Sequence, residues 1–61
     1  MQTALKTRRQ ELQLTQKEVA DRLNLKRQTY NKYENGLRQP RISVMKQIAE
    51  LFGKSMDDLF F

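Results

Sequence analysis

The sequence predicts an all-α fold, a compact five-helix domain built around a central helix-turn-helix. Three observations predict it. Apolar residues recur at the three- and four-residue spacing of one helical face. Residues that start and stop helices punctuate the chain, with Thr15 and Ser55 ahead of such patterns and Asn24, Asn35-Gly36 and Gly53 behind them. The 61 residues include no cysteine and no histidine, so disulfide staples and the common zinc sites are excluded and packing alone must hold one small domain, residues 1–61.

Residues 3 to 13 form the first helix by pattern, with Thr3 as a candidate cap and Ala4, Leu5, Arg8, Arg9 and Leu12 along one side that is only partly apolar. Arg8 and Lys6 read as surface residues. The second helix opens at Thr15-Gln16-Lys17-Glu18, a capping box in which the threonine hydroxyl accepts from the Glu18 amide and the glutamate reaches back to the Thr15 amide. Val19, Ala20 and Leu23 give it an inner face. Asn24 tolerates the left-handed conformation that ends a helix, and Leu25 plugs the corner.

The third helix runs from about Arg27 to Asn35. Tyr30, Tyr33 and Leu37 are expected to face inward, with the tyrosine hydroxyls reaching the surface, while Arg27, Gln28, Asn31 and Lys32 face outward. Asn35-Gly36 supplies the two residue types that best accept positive φ. Residues 37–41 carry no periodic pattern and read as the only loop. Ile42, Met45, Ile48, Ala49 and Phe52 then form the strong apolar stripe of a fourth helix, closed by Gly53. Ser55 caps a short fifth helix with Asp57 and Asp58 in its first turn, where carboxylates interact well with free amides. Met56, Leu59 and Phe60 complete the core; Phe61 is either a frayed end or part of a dimer contact.

Two helices joined by so tight a turn are a known DNA-reading device, with the second helix in the major groove. The outer face of that helix carries groups suited to base edges. Gln28 matches adenine, Arg27 and Lys32 match the O6 and N7 acceptors of guanine, and Asn31 donates or accepts. The net charge of +5 is unevenly placed, since residues 1–42 hold ten basic and four acidic side chains and residues 43–61 hold two and three. A basic footprint thus coincides with the helix-turn-helix, as a polyanion-binding face requires.

No apolar run approaches the roughly 20 residues that span a bilayer, and there is no signal-type segment, so a cytoplasmic protein is expected. Catalysis lacks an inventory: no histidine or cysteine, no serine beside a base and no phosphate-cradling glycine loop. Neither a cofactor nor a small-molecule substrate is expected. The tyrosines at i and i+3 fit a core stripe better than a stacking platform for single strands.

The stretch from Leu14 to Gly36 resembles the phage-repressor and Cro-like helix-turn-helix regulators, also called the xenobiotic-response-element type. The resemblance extends to Arg9, Glu34, Pro40-Arg41, Ile48-Ala49 and the closing Ser55 to Phe60, covering nearly the whole chain. It implies a lambda-repressor-like DNA-binding domain and a role in transcription regulation, repression before activation. It also implies that Arg9 pairs with Glu34 to clamp the first helix to the third, and that Asn35, Arg38 and Arg41 position the domain on the DNA backbone. Gln16 and Lys17 are expected to anchor phosphates too. Lys26 stands where relatives have a serine-like cap and is itself a candidate backbone contact; Arg41 also replaces a small polar cap, leaving Ser43 as a later one. A single small domain makes few base contacts, so a homodimer on a two-fold operator is expected. The alternative is an antitoxin-like or regulator-partner module, in which the same fold binds protein and its basic face is incidental.

Overall fold

Capping chemistry sets where two of the helices begin. In a computed structural model describing residues 3–61, the Thr3 side chain excepted, the order is α1 (Thr3–Glu11), α2 (Gln16–Arg22), α3 (Arg27–Glu34), α4 (Ile42–Phe52) and α5 (Met56–Phe60). The cap expected of Thr3 lies outside the described residues. Thr15 completes the capping box of α2: its hydroxyl accepts from the Glu18 amide at 3.1 Å, and its own amide donates to Glu18 Oε1 at 2.9 Å. The bond from the Thr15 amide to the charged form is the chief cause holding the Glu18 carboxyl below its ordinary pKa. Ser55 Oγ accepts from the Asp58 amide at 3.1 Å and caps α5. Lys26 and Arg41, which precede α3 and α4, make no side-chain cap. Ser43 lies one residue inside α4 and is not its cap.

One motif ends the first four helices. A residue with positive φ follows each: Gln13 at 59°, Asn24 at 57°, Gly36 at 72° and Gly53 at 66°. The next residue's amide folds back onto the helix, from Leu14 to Arg9 O at 3.1 Å, Leu25 to Ala20 O at 2.9 Å, Leu37 to Lys32 O at 2.9 Å and Lys54 to Ala49 O at 3.2 Å. This Schellman arrangement satisfies carbonyls that the helix leaves open. Asn24 and the two glycines suit left-handed geometry, and Gln13 does not. The sequence pattern therefore runs the first helix on to residue 13, whereas it ends at Glu11.

The core draws on all five helices: Leu5 from α1, Val19 and Ala20 from α2, Tyr30 and Tyr33 from α3, Met45, Ile48, Ala49 and Phe52 from α4, and Leu59 from α5. Leu12, Leu14, Leu25, Val44, Leu51, Met56 and Phe60 pack around it half-buried. Each large side chain removed from water contributes about 1.5–3 kcal/mol before ordering costs are counted. Tyr30 and Tyr33 meet edge to face, with centroids 6.5 Å apart and planes at 85°, an arrangement favoured by the ring quadrupoles. α2 packs on α3, and α5 seals the open side between α1 and α4.

Four expectations are corrected. Leu37 is 75% exposed because Gly36 turns the chain out of the helical path on which its inward placement depended. Ile42 is 65% exposed, since it occupies the first position of α4 and the buried stripe starts only at Met45. The Tyr30 hydroxyl does not reach the surface: the ring is fully buried, and the oxygen has no partner within hydrogen-bond geometry. Arg8 is a joint rather than a free surface residue. Its Nε donates to the Phe52 carbonyl at 2.8 Å, and Nη1 meets Glu11 at 3.2 Å, so α1 closes the C-terminal end of α4.

Left-handed geometry costs a residue with a Cβ roughly 1–2 kcal/mol, and asparagine less than glutamine. Gln13→Gly is therefore expected to raise the thermal midpoint by about 4 °C, allowing for the glycine's extra chain entropy. Asn24→Gly should gain less; calorimetry of the two variants checks the order.

Candidate nucleic-acid interface

The ordered part of this surface begins in the interior. Arg9 grips Glu34 with two parallel bonds, Nε to Oε2 at 2.6 Å and Nη2 to Oε1 at 3.2 Å, while Nη1 donates to the Leu14 carbonyl at 2.9 Å. The two side chains are only 12% and 2% exposed. Such a planar fork is the strongest common form of ion pair. It joins α1 to the last turn of α3.

From Glu34 the bonds run outward. Gln16 Nε2 donates to Glu34 Oε1 at 3.0 Å, Asn31 Nδ2 donates to Gln16 Oε1 at 3.0 Å, and Asn35 Nδ2 donates to Asn31 Oδ1 at 2.9 Å. A continuous polar chain thus ties the start of α2 to the middle and end of α3. Burial works to raise the Glu34 carboxyl, but bonds from Arg9 and Gln16, with the Arg9 charge, outweigh it and hold the pKa below its ordinary value. Arg9 is raised in return, chiefly by its bond to Glu34. Burial, followed by the neighbouring carboxylate, pushes the Tyr30 phenol far upward and keeps it neutral.

Over this base stand the side chains singled out in the sequence. Arg27, Gln28 and Lys32 are exposed and, with Gln16, Asn31 and Leu37, line one shallow concavity. Asn31 is half-buried and bonded at both ends of its amide. Lys26 and Asn35 are exposed at the two ends of α3. Arg38 and Arg41 line a second concavity with Thr29 and Tyr33 of α3, so the loop lies against the same helix. Lys17 is exposed and reaches Asp21 at 3.1 Å, a surface pair of small value. Sequence reading missed two features here. The amide chain through Gln16, Asn31 and Asn35 depends on side-chain directions between helices, for which spacing gives no signal. Leu37 joined the concavity only because Gly36 redirects it.

The family profile described as helix-turn-helix matches residues 5–59. The chain belongs to the helix-turn-helix family. Two relatives bear the name uncharacterized HTH-type transcriptional regulator. The one from Methanothermobacter thermautotrophicus is 36% identical, over 98% of this chain and 88% of its own length. The other, from Archaeoglobus fulgidus, is 32% identical over 98% and 84%. No solved structure matches the chain. Membership places this helix-turn-helix protein among DNA-binding regulators and not among enzymes. No helix among the described residues is long and apolar enough to cross a membrane.

Removing one partner of the ion pair leaves a buried charge unmatched, so Arg9→Ala should cost about 3 kcal/mol in urea unfolding. Because the native Glu34 pKa is depressed, its contribution is complete above its ordinary value of 4.5 and is lost as the pH falls through the native value. Glu34→Gln should be less stable at neutral pH and should lack that part of the acid-side decline. Urea midpoints measured from about pH 7 to 3 test both.

Proposed function

We propose that this helix-turn-helix protein is a sequence-specific binder of double-stranded DNA that sets α3 in the major groove and represses transcription as a homodimer on a two-fold operator. The observation that carries this reading is the row of exposed donors, Arg27, Gln28 and Lys32, on a helix whose inner side is bonded to α1 and α2. Arg27 and Lys32 donate to guanine O6 and N7, and Gln28 pairs with adenine N6 and N7. Asn31 retains one amide proton and one oxygen lone pair beyond its internal bonds, enough to add a base contact while holding Gln16.

Backbone anchoring falls to Gln16, Lys17, Lys26, Asn35, Arg38 and Arg41. The helix starts support this division. α3 and α4 are preceded by basic residues without a side-chain cap, so their first amides are available to phosphate, whereas α2 and α5 each have one first-turn amide, Glu18 and Asp58, already held by a hydroxyl. Lys17 must exchange Asp21 for phosphate, a trade between exposed partners that costs little.

One domain with three or four base-reading side chains specifies few base pairs. Two copies on half-sites about 34 Å apart double that number and impose a near-palindrome. Repression by occupancy needs no surface beyond the interface, so it is the simpler regulatory outcome.

Titration with random duplex DNA at several salt concentrations, followed by sequencing of the retained fraction, tests partner and specificity together. A dimer contacting about six to eight phosphates gives a slope of about −5 to −7 in log affinity against log salt, with retained sequences converging on a near-palindrome. Absence of duplex binding would overturn the reading in favour of a protein-partner module. On the selected operator, Gln28→Ala should relax preference at one base position, and Arg38→Ala should weaken all sequences alike. Equal losses on specific and random DNA for both variants would refute the division of roles.

A further inference from the structure

We infer that Leu37 reads the 5-methyl group of a thymine in the major groove, at the edge of the bases approached by α3. The inference rests on the DNA-binding reading above and adds a specificity residue to it. It starts from a comparison within the chain. The residue that closes each of the four helix-ending motifs is Leu14, Leu25, Leu37 or Lys54. Leu14 and Leu25 pack half-buried against the core, so their apolar character serves folding. Lys54 is exposed and charged, so the motif itself has no need of an apolar side chain at that place. Leu37 is the exception, apolar yet 75% exposed.

Its position is nevertheless defined. The Leu37 amide donates to the Lys32 carbonyl at 2.9 Å and the Gly36 amide to the Tyr33 carbonyl at 3.3 Å, so the backbone of Leu37 is fixed to the C-terminal turn of α3 although it belongs to the loop by sequence. The side chain lines the same concavity as Gln16, Arg27, Gln28 and Lys32. Those neighbours supply hydrogen-bond donors, which suit N7 and O6 acceptors on base edges. None of them rewards the one apolar group displayed in the major groove, the thymine methyl. A leucine at the rim does so, and a phosphate or sugar there gives it no comparable partner.

Burying one methyl is worth about a four-fold change in affinity. The test uses the full chain and the duplex recovered by selection, with each thymine of a half-site replaced in turn by uracil, which removes only the methyl. Wild type is expected to lose about four-fold at one position. Leu37→Ala should lose a similar factor on the thymine duplex and nothing further on the uracil duplex at that position, with an unchanged thermal midpoint. Indifference of wild type to every uracil, or the same uracil profile in both proteins, overturns the inference while leaving DNA binding intact. Weaker self-association of Leu37→Ala in sedimentation without DNA, together with an unaltered uracil profile, assigns the side chain to a protein contact and also overturns it. Failure of the selection to converge removes the reading beneath it, an outcome distinct from the others.

Discussion

The bidentate bond between Arg9 and Glu34 is the constraint from which the rest of the exposed face is built. Two charges placed in so dry a position are costly to desolvate, and their attraction offsets that cost only when the remaining donors and acceptors are also satisfied. The neighbours meet that condition. Leu14 supplies a carbonyl to the third side of the guanidinium, and Gln16 supplies an amide to the carboxylate. The pair therefore fixes more than two helices. Through Gln16 it sets the orientation of Asn31, and through Asn31 that of Asn35, so a buried charge pair settles the geometry of amides at the surface.

The helix boundaries follow a division of labour. α2 and α5 are preceded by a hydroxyl that accepts from one amide of their first turn, whereas α3 and α4 follow Lys26 and Arg41 without one. Four helices stop by the same left-handed turn, three of them on asparagine or glycine and one on Gln13. Among the stops the strain falls chiefly on Gln13. Arg8 adds a further stop, its guanidinium donating to the last carbonyl of α4.

Much of this was legible in the residues. Thr15 with Glu18, Ser55 with Asp58, Asn24, and Gly53 each announce a local event that involves only near neighbours in sequence, and local rules suffice for those. The apolar spacing likewise identified Val19, Ala20, Tyr30, Tyr33, Ile48 and Phe52 as core. Leu37 and Ile42 were misplaced because periodicity was extended past a glycine turn in one case and back to the first residue of a helix in the other. Arg8 and the Tyr30 hydroxyl depend on what other helices bring close, the Phe52 carbonyl for the former and the surrounding core that buries the ring for the latter. The juxtaposition of Arg9 with Glu34 was available only through family resemblance, since 25 residues separate them.

The amide chain divides the exposed face into positions of unequal freedom. Arg27, Gln28 and Lys32 make no side-chain hydrogen bond to the rest of the chain among the described residues, so a lineage can exchange them without disturbing the domain. Asn31 is embedded between Gln16 and Asn35, and a change there misaligns partners on both sides. Under the proposed function, retargeting along α3 would have three uncoupled positions and one coupled one, with the coupled position the natural place for diversification to stall.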